Sequence, residues 1–580
     1  MGPPVTVKDL PWTTLVELLQ HRAQVTPDAL AYSFLGRNLD GSSWTYGQLH
    51  QHALAVAARL RAVVKEDDRV LICHLPGLDY IAAFFGCLYA GAVAVPVYPP
   101  QYYKSFDRIR SIIEDARPRA ALTSASILAK LGAQVQSAAG ANIDSKIDWI
   151  VSENLAHTSG SGEPAPRRAC SMAFLQYTSG STAEPKGVML SHGNLLDNLR
   201  AIENNFHSHP QSVGCIWLPP YHDMGLIGGI LQPLYAGFPV YLMSPLAFVL
   251  RPNKWLEAIT RFRATISGGP NFAFDLCVAR IKPEEVARFD LSSWEVAFCG
   301  AEPIRAATLE AFRAKLAPAR FSPRSLHPCY GLAEATLMVT ACAFAAPPVT
   351  ERLDAESLAN NLARPATDRP ARTLVGCGTA IEHTQIRVVN PRTFIPRPDG
   401  EIGEIWVAGP GVAPGYWGRR EESEETFAAR LATGEGPFLR TGDLGYLHEG
   451  ELFVTGRLKD VIIVKGRNLY PQDIEQCVGA SHPGLRADSA VAFSIDQGDE
   501  EWLVIIQEVE AKLVACEVDQ LVPRIANAVF ASCEIVPHDI VLVAKGGVAK
   551  TSSGKLQRQL TKQRYLAGEL EVLYRGKGAP

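Results

Sequence analysis

The chain has 580 residues, 47% of them hydrophobic and 20% charged. That length exceeds what one core usually supports, so several domains or subdomains are expected. A net charge of −4 gives no global basic field for nucleic acid, and twelve scattered cysteines without a CxxC pair suit reduced thiols rather than a disulfide framework.

The opening "MGPPVTVKDLPW" lacks the basic start and apolar run of a signal peptide. "TLVELLQHRAQ" and "LHQHALAVAARLRAVV" carry helical apolar spacing, and "RVLICHL" reads as a strand. No charge occurs from Tyr80 to Tyr103, which imitates a membrane span. Gly86, Gly91, Pro96, Pro99 and Pro100 interrupt it, so a buried helix followed by a buried strand is expected, in a soluble, cytoplasmic protein.

Next comes "LQYTSGSTAEPKGVMLSHGNLL" (175–196), with Thr178, Ser179, Gly180, Ser181, Thr182 and Lys186 in one short loop. Strand patterns flank the loop, and Ser191 or Asn194 can cap a helix with Leu195, Leu199 and Ile202 on one face. Bare amides, hydroxyls and one ammonium make an anion cradle. Taken alone, the loop reads more readily as a solvated turn, and it lacks the G-x-x-x-x-G-K-[ST] spacing of a Walker loop.

Further strands follow at "VYLM" and "ATISGGP". Helix and strand patterns alternate to about residue 455, predicting an α/β fold with mainly parallel sheets, and a glycine-punctuated β region starts after residue 400. At "GRLKDVIIVKGRNLYPQDIEQCV" the character changes: a strand (Val461 to Val464) meets a Lys-Gly-Arg turn, and Pro471 opens a helix. The expected division is a large domain, 1–458, and a small, mobile α+β domain, 459–580. The small domain carries a second lysine- and hydroxyl-rich loop, "VAKTSSGKLQRQLTKQRY".

The cradle is followed in order by "CYGLAEAT" (329–336), "LRTGDLG" (439–445), "GRLKD" (456–460) and "AKTSSGK" (549–555). Together the five motifs resemble the adenylate-forming superfamily of acyl-CoA synthetases, peptide-synthetase adenylation domains and luciferases, over about residues 12–570. In that chemistry a carboxylate oxygen attacks the α-phosphorus of ATP and pyrophosphate leaves, so the site must neutralise and align two anions. The resemblance implies that the first loop faces the β- and γ-phosphates and that Glu334 holds Mg²⁺. Tyr330 and Gly331 would take the adenine with the small segment Gly300, Ala301, Glu302 and Pro303, while Asp443 and Arg457 would grip the ribose hydroxyls. Lys555 would touch both carboxylate and nucleotide, and Lys459 matches the family hinge. Two departures stand out. Ala333 replaces a frequent threonine, which makes Thr336 the substitute hydroxyl for the α-phosphate, and Ala549 replaces a frequent proline.

Within the superfamily, "WLPPYHDMGLIGG" (217–229) resembles fatty acyl-AMP ligases. His222 would lie by the carboxylate, and Asp223, Met224, Gly225, Ile227 and Gly228 would border an alkyl tunnel. On residues alone, the His-Asp pair reads more readily as structural, and the glycines equally as helix-packing positions. Residues 349–372 are longer than a connection needs, and Leu358 and Leu362 make one helical face stopped by Pro365. The resemblance implies an insertion that hinders the rotation needed for CoA use; a surface elaboration is the other reading. The implied reaction adenylates a medium- or long-chain fatty acid and passes the acyl group to the phosphopantetheine thiol of a separate holo acyl carrier protein of a polyketide or lipopeptide synthase. A carrier-type D-S-L serine motif does not follow residue 560. A fatty acyl-CoA synthetase and a non-catalytic binding relative are the alternatives.

Overall fold

The uncharged stretch after Tyr80 is housed as the helix Leu78–Tyr89, apolar on every face and buried along its length except at Asp79. A helix of that kind belongs inside a protein core. It leads into the strand Val93–Pro96, and Phe84 meets Phe85 and Phe174 edge to face. Gly86 lets the helix approach Tyr46–Leu60, because a Cβ there would lie 2.4 Å from Val56. No helix among the described residues is long and apolar enough to cross a membrane. The computed structural model describes residues 11–100, 107–137, 147–153, 155, 162–178, 185–367, 371–464, 467–497, 500–510, 515–533, 535–551 and 555–577.

Two large sheets organise the chain up to the mid-300s. In the six-stranded sheet the order runs Asp148–Val151, Ala120–Thr123, Arg69–Cys73, Val93–Pro96, Met172–Thr178 and Lys186–Ser191, parallel except for the last pair. The nine-stranded sheet has a parallel centre containing Gly214–Ile216, Ile266–Gly269, Val296–Cys299 and Leu326–Gly331, with antiparallel edges. Between the two strands that bracket the first loop, Thr178 sits opposite Lys186. The helix His192–Phe206 follows, capped by Ser191 with Asn194 returning the bond, and it buries Leu195, Leu199 and Ile202. An antiparallel sheet of Gln385–Val389, Gly403–Ala408, Leu439–His448 and Glu451–Arg457 is the predicted β region.

Beyond this, a small α+β domain has its own apolar core, in which Ile474, Val478, Ile505, Ile525 and Ile540 are fully buried. The helix Pro471–Ala480 does begin on its proline.

The stretch 349–372 is more than the single helix expected. Strands Thr350–Asp354 and Ala371–Val375 pair antiparallel and enclose the short helix Ala355–Ala359. Leu358 is buried as one apolar face requires, but Leu362 lies outside the helix. Asn361 takes a left-handed φ of +61°, and the Leu362 amide folds back onto the Ser357 carbonyl at 2.9 Å, which ends the helix before the proline.

Candidate active site

The expected site residues leave the carboxyl ends of parallel strands, the usual place for ligands in open α/β sheets. Gly300 to Pro303 follow the strand Val296–Cys299, and Tyr330 and Gly331 end Leu326–Gly331. The segment 217–223 follows Gly214–Ile216. Close packing explains the small residues: a Cβ on Gly300 would meet the Cys329 carbonyl at 2.8 Å, and Ala301 has φ +67°. Glu302 accepts the Phe272 amide at 2.6 Å, and burial raises its pKa against the pull of that amide and of Lys555.

On the opposite wall, Asp443 and Arg457 are register partners on adjacent strands. The Asp443 carboxylate accepts the Tyr330 hydroxyl at 2.8 Å and Arg457 Nε at 3.0 Å, so these three side chains form one network. Asp443 keeps Arg457 above its ordinary pKa.

Glu334 lies in the turn Ala333–Ala335 and accepts the Tyr416 hydroxyl at 3.0 Å. Burial raises its pKa, while its hydrogen bonds and Arg457 oppose the rise. Tyr416 arrives because the segment around it pairs with Lys186–Ser191: the Met189 amide donates to the Gly415 carbonyl at 3.0 Å and the Trp417 amide to Gly187 at 2.8 Å. Lys186 stands 5.2 Å from the centre of the Tyr416 ring and pairs with Glu422. Among the described residues no group of three His, Cys, Asp or Glu could cage a metal. The donor set at Glu334 suits an ion held by one carboxylate together with substrate phosphates, the habit of Mg²⁺.

His222 and Asp223 introduce the wide helical turn Met224–Leu231. Asp223 accepts the Met224 amide at 2.6 Å and lies 2.5 Å from His222 Nδ1. Burial alone would raise Asp223, but His222, Lys555 and that amide together hold it below the usual carboxylate range. Beside it lies a cavity of about 60 Å³ lined by Asp223, Met224, Gly228, Ile202, Phe206 and Leu337, and also by Tyr330, Gly331 and Ala301. Gly228 opens onto this cavity, its nearest neighbour across the gap being Leu337 at 3.4 Å from a built Cβ. Gly225 and Ile227 do something else. A Cβ on Gly225 would lie 2.0 Å from the Pro219 carbonyl, so that glycine serves backbone packing, and Ile227 is wholly within the core.

Lys555 comes from the small domain. Its loop is closed by a bridge between Lys550 and Leu556 and by the Thr551 amide donating to the Lys555 carbonyl at 2.7 Å. Removal from water lowers its pKa; Asp223, Glu302 and Asp443 pull it up, and Arg457 pushes it down. Side chains from four separate segments therefore bear electrostatically on one ammonium. Exposed Lys459 sits in the turn Leu458–Asp460, and its carbonyl receives Gln559 Nε2 at 3.4 Å.

Thr336 departs from expectation. Its hydroxyl donates to the Gly411 carbonyl at 2.6 Å from a fully buried position with φ +68°, so it is already committed to the protein. Thr178 is at the loop's edge, its carbonyl accepting Arg108 at 3.0 Å. Ser179, Gly180, Ser181 and Thr182 lie outside the described residues. Sequence reasoning missed Tyr416 and Glu422, whose contacts span 82 and 236 residues, and the cavity walls Ile202, Phe206 and Leu337. "GYWG" offered no periodic signal for such a contact; the apolar face of His192–Phe206 was visible but indistinguishable from ordinary core.

The AMP-binding enzyme family matches residues 19–417, and the Disco-interacting protein 2-like AMP domain matches residues 459–575. Two lobes meeting over one cleft with these motifs define an adenylate-forming enzyme. The medium-chain-fatty-acid–[acyl-carrier-protein] ligase JamA of Moorena producens is 41% identical over 97% of this chain and 96% of its own. The long-chain-fatty-acid–AMP ligase FadD26 of Mycobacterium tuberculosis is 37% identical over 97% and 98%. The crystal structure of a fatty acid AMP ligase from Legionella pneumophila is 40% identical, covers 99% of both chains and superposes with a TM-score of 0.76. The chain belongs to the AMP-binding family, in its fatty acyl-AMP ligase branch.

Proposed function

We propose that this fatty acyl-AMP ligase adenylates a medium- or long-chain fatty acid and then transfers the acyl group to the phosphopantetheine thiol of a separate holo acyl carrier protein. The observation that carries the reading is the convergence of Lys555, Asp223, Glu302, Asp443 and Arg457 beside a cavity with apolar walls. A fatty acid would lay its chain along Met224, Gly228, Ile202 and Phe206 and present its carboxylate to Lys555 and His222. One carboxylate oxygen then attacks the α-phosphorus, the bond from that phosphorus to the bridging oxygen breaks, and pyrophosphate leaves. Lys555 offsets the negative charge brought together in this step, and Arg457, Asp443 and Tyr330 fix the nucleoside so that the attack is in line. Lys186 exchanges Glu422 for the outer phosphates. Mg²⁺, held by Glu334 and phosphate oxygens, would neutralise those phosphates.

For the second step we place the domain boundary at 458/459, with the small domain turning about Lys459. The thiol attacks the acyl carbonyl and AMP departs with the oxygen that came from the acid. The relatives named JamA and TtuA are medium-chain-fatty-acid–[acyl-carrier-protein] ligases, which supports a carrier protein as acceptor. So does the inserted hairpin. Arg372 Nε lies 3.1 Å from Asp473 of the small domain and the guanidinium 5.0 Å from the Tyr470 ring centre, while Asn468 donates to the Ala359 carbonyl at 3.2 Å. These contacts tie the small domain beside its hinge and so restrict its turn; a bulky carrier docking on both lobes can supply binding energy that free CoA lacks.

The test is fatty-acid-dependent pyrophosphate release, followed by addition of either a holo carrier protein or CoA. Release without fatty acid, or none with it, defeats the adenylation reading. Rapid acyl-CoA formation with no preference for the carrier defeats the choice of acceptor.

A further inference from the structure

Arg305 lies two residues beyond Pro303, on the large domain's adenine-side segment, and it reaches the small domain. Its Nη2 lies 2.9 Å from Asp488 Oδ1. The arginine is oriented before it gets there: Asn271 Oδ1 accepts its backbone amide at 3.0 Å, and Asp275, itself held by Asn271 Nδ2 at 2.9 Å, stands 3.7 Å from Nη1. Asp488 is equally fixed. It adopts φ +50°, and Lys550 Nζ donates to its carbonyl at 2.7 Å and to Ser489 Oγ at 2.9 Å. Lys550 is the residue whose bridge with Leu556 closes the Lys555 loop.

A continuous chain of contacts thus runs from the adenine segment through Arg305, Asp488 and Lys550 to the loop that carries Lys555. The contacts of Arg372 and Asn468 involve small-domain residues within fifteen positions of Lys459, close beside the hinge. By contrast, Asp488 stands beside the working end of the small domain, so a turn that withdraws Lys555 must part Asp488 from Arg305.

We infer that Arg305 and Asp488 form a latch that sets how often the small domain rests with Lys555 over the nucleotide. They are positioning residues, acting on the first half-reaction through Lys555. This inference rests on the proposed adenylation by Lys555 and on the domain turn. Both side chains are more than a third exposed, 36% and 46%, so the link is weak enough to open in each cycle. Its loss is expected to lower the closed population, and with it the adenylation rate, by roughly three- to five-fold.

The experiment compares wild type, Arg305→Gln, Asp488→Asn and the reciprocal Arg305→Asp/Asp488→Arg protein in two separate assays. Single-turnover pyrophosphate release reads the first half-reaction. Transfer from purified acyl-adenylate to a holo carrier protein reads the second. The expected result is slower adenylation in both single variants, transfer unchanged or faster, and recovery of adenylation in the reciprocal pair. Equal slowing of both steps would indicate a merely structural role and overturn the latch, as would unaltered adenylation in the singles or no recovery in the pair. A wild type that forms no acyl-adenylate overturns the proposed function instead, so the two failures are distinguishable.

Discussion

Replacing Lys555 with alanine separates catalysis from binding in a way the cleft makes quantitative. The ammonium is held among Asp223, Glu302 and Asp443, against Arg457, in a loop closed at both ends. A fixed donor aimed at developing charge is worth about 10²–10³ in rate, or ~3–4 kcal/mol. ATP, in contrast, is expected to be gripped on the large domain by Tyr330, Asp443 and Arg457, none of which the substitution touches. Lys555→Ala should therefore slow single-turnover pyrophosphate release about 100-fold or more while ATP affinity, followed by equilibrium binding, changes by no more than about three-fold. Stability should not suffer. Burial lowers the Lys555 pKa, so the folded state disfavours its charge; that penalty is present below the folded pKa and is relieved as pH rises through the unfolded value of about 10.4. Removing the side chain removes the penalty at neutral pH. The same shift predicts that adenylation by the wild type falls on the alkaline side at a lower pH than a free lysine would give. Equal losses in rate and in ATP affinity, or a variant that unfolds earlier, would refute the reasoning.

Four other substitutions probe separate parts of the account. Gly228→Leu should fill the cavity beside Asp223 that is proposed to take the acyl chain, since little lies opposite a Cβ there, raising KM at least ten-fold for long acids and less for short ones; an unchanged chain-length profile contradicts this. Gly225→Ala should cost stability rather than selectivity, about 1–3 kcal/mol in denaturant unfolding, because of the 2.0 Å approach to the Pro219 carbonyl. Arg372→Ala removes the clasp on Asp473 and Tyr470 and should increase acyl-CoA formation from preformed acyl-adenylate; no increase would leave the hairpin without a role in acceptor choice. Tyr416→Phe deletes the hydroxyl that orients Glu334 and should raise the Mg²⁺ concentration required for half-maximal pyrophosphate release several-fold, with the folded state intact by circular dichroism.

Periodicity and punctuation made much of the fold legible. The Ser191 cap, the helix on Pro471 and the buried course of residues 78–96 all follow from local patterns, because propensity and burial agree there. Ordered motifs marked Tyr330, Asp443, Arg457 and Lys555 as one group, although four separate motifs of the chain supply them. Where a glycine's neighbour decides its purpose, sequence was silent. Gly225 and Gly228 look alike in "HDMGLIGG", yet one abuts a carbonyl and the other faces a cavity. Thr336 failed for a related reason: its hydroxyl is taken by Gly411, which is 75 residues away. The hairpin at 349–372 hid its strands because they pair across the intervening helix rather than through a tight turn.

The most direct measurement follows oxygen. Fatty acid labelled with ¹⁸O in its carboxylate, incubated with the protein, ATP, Mg²⁺ and a holo carrier protein, should yield AMP carrying one labelled oxygen and unlabelled pyrophosphate by mass spectrometry. Label in pyrophosphate or inorganic phosphate, or unlabelled AMP alongside acylated carrier, would show that the acid does not strike the α-phosphorus.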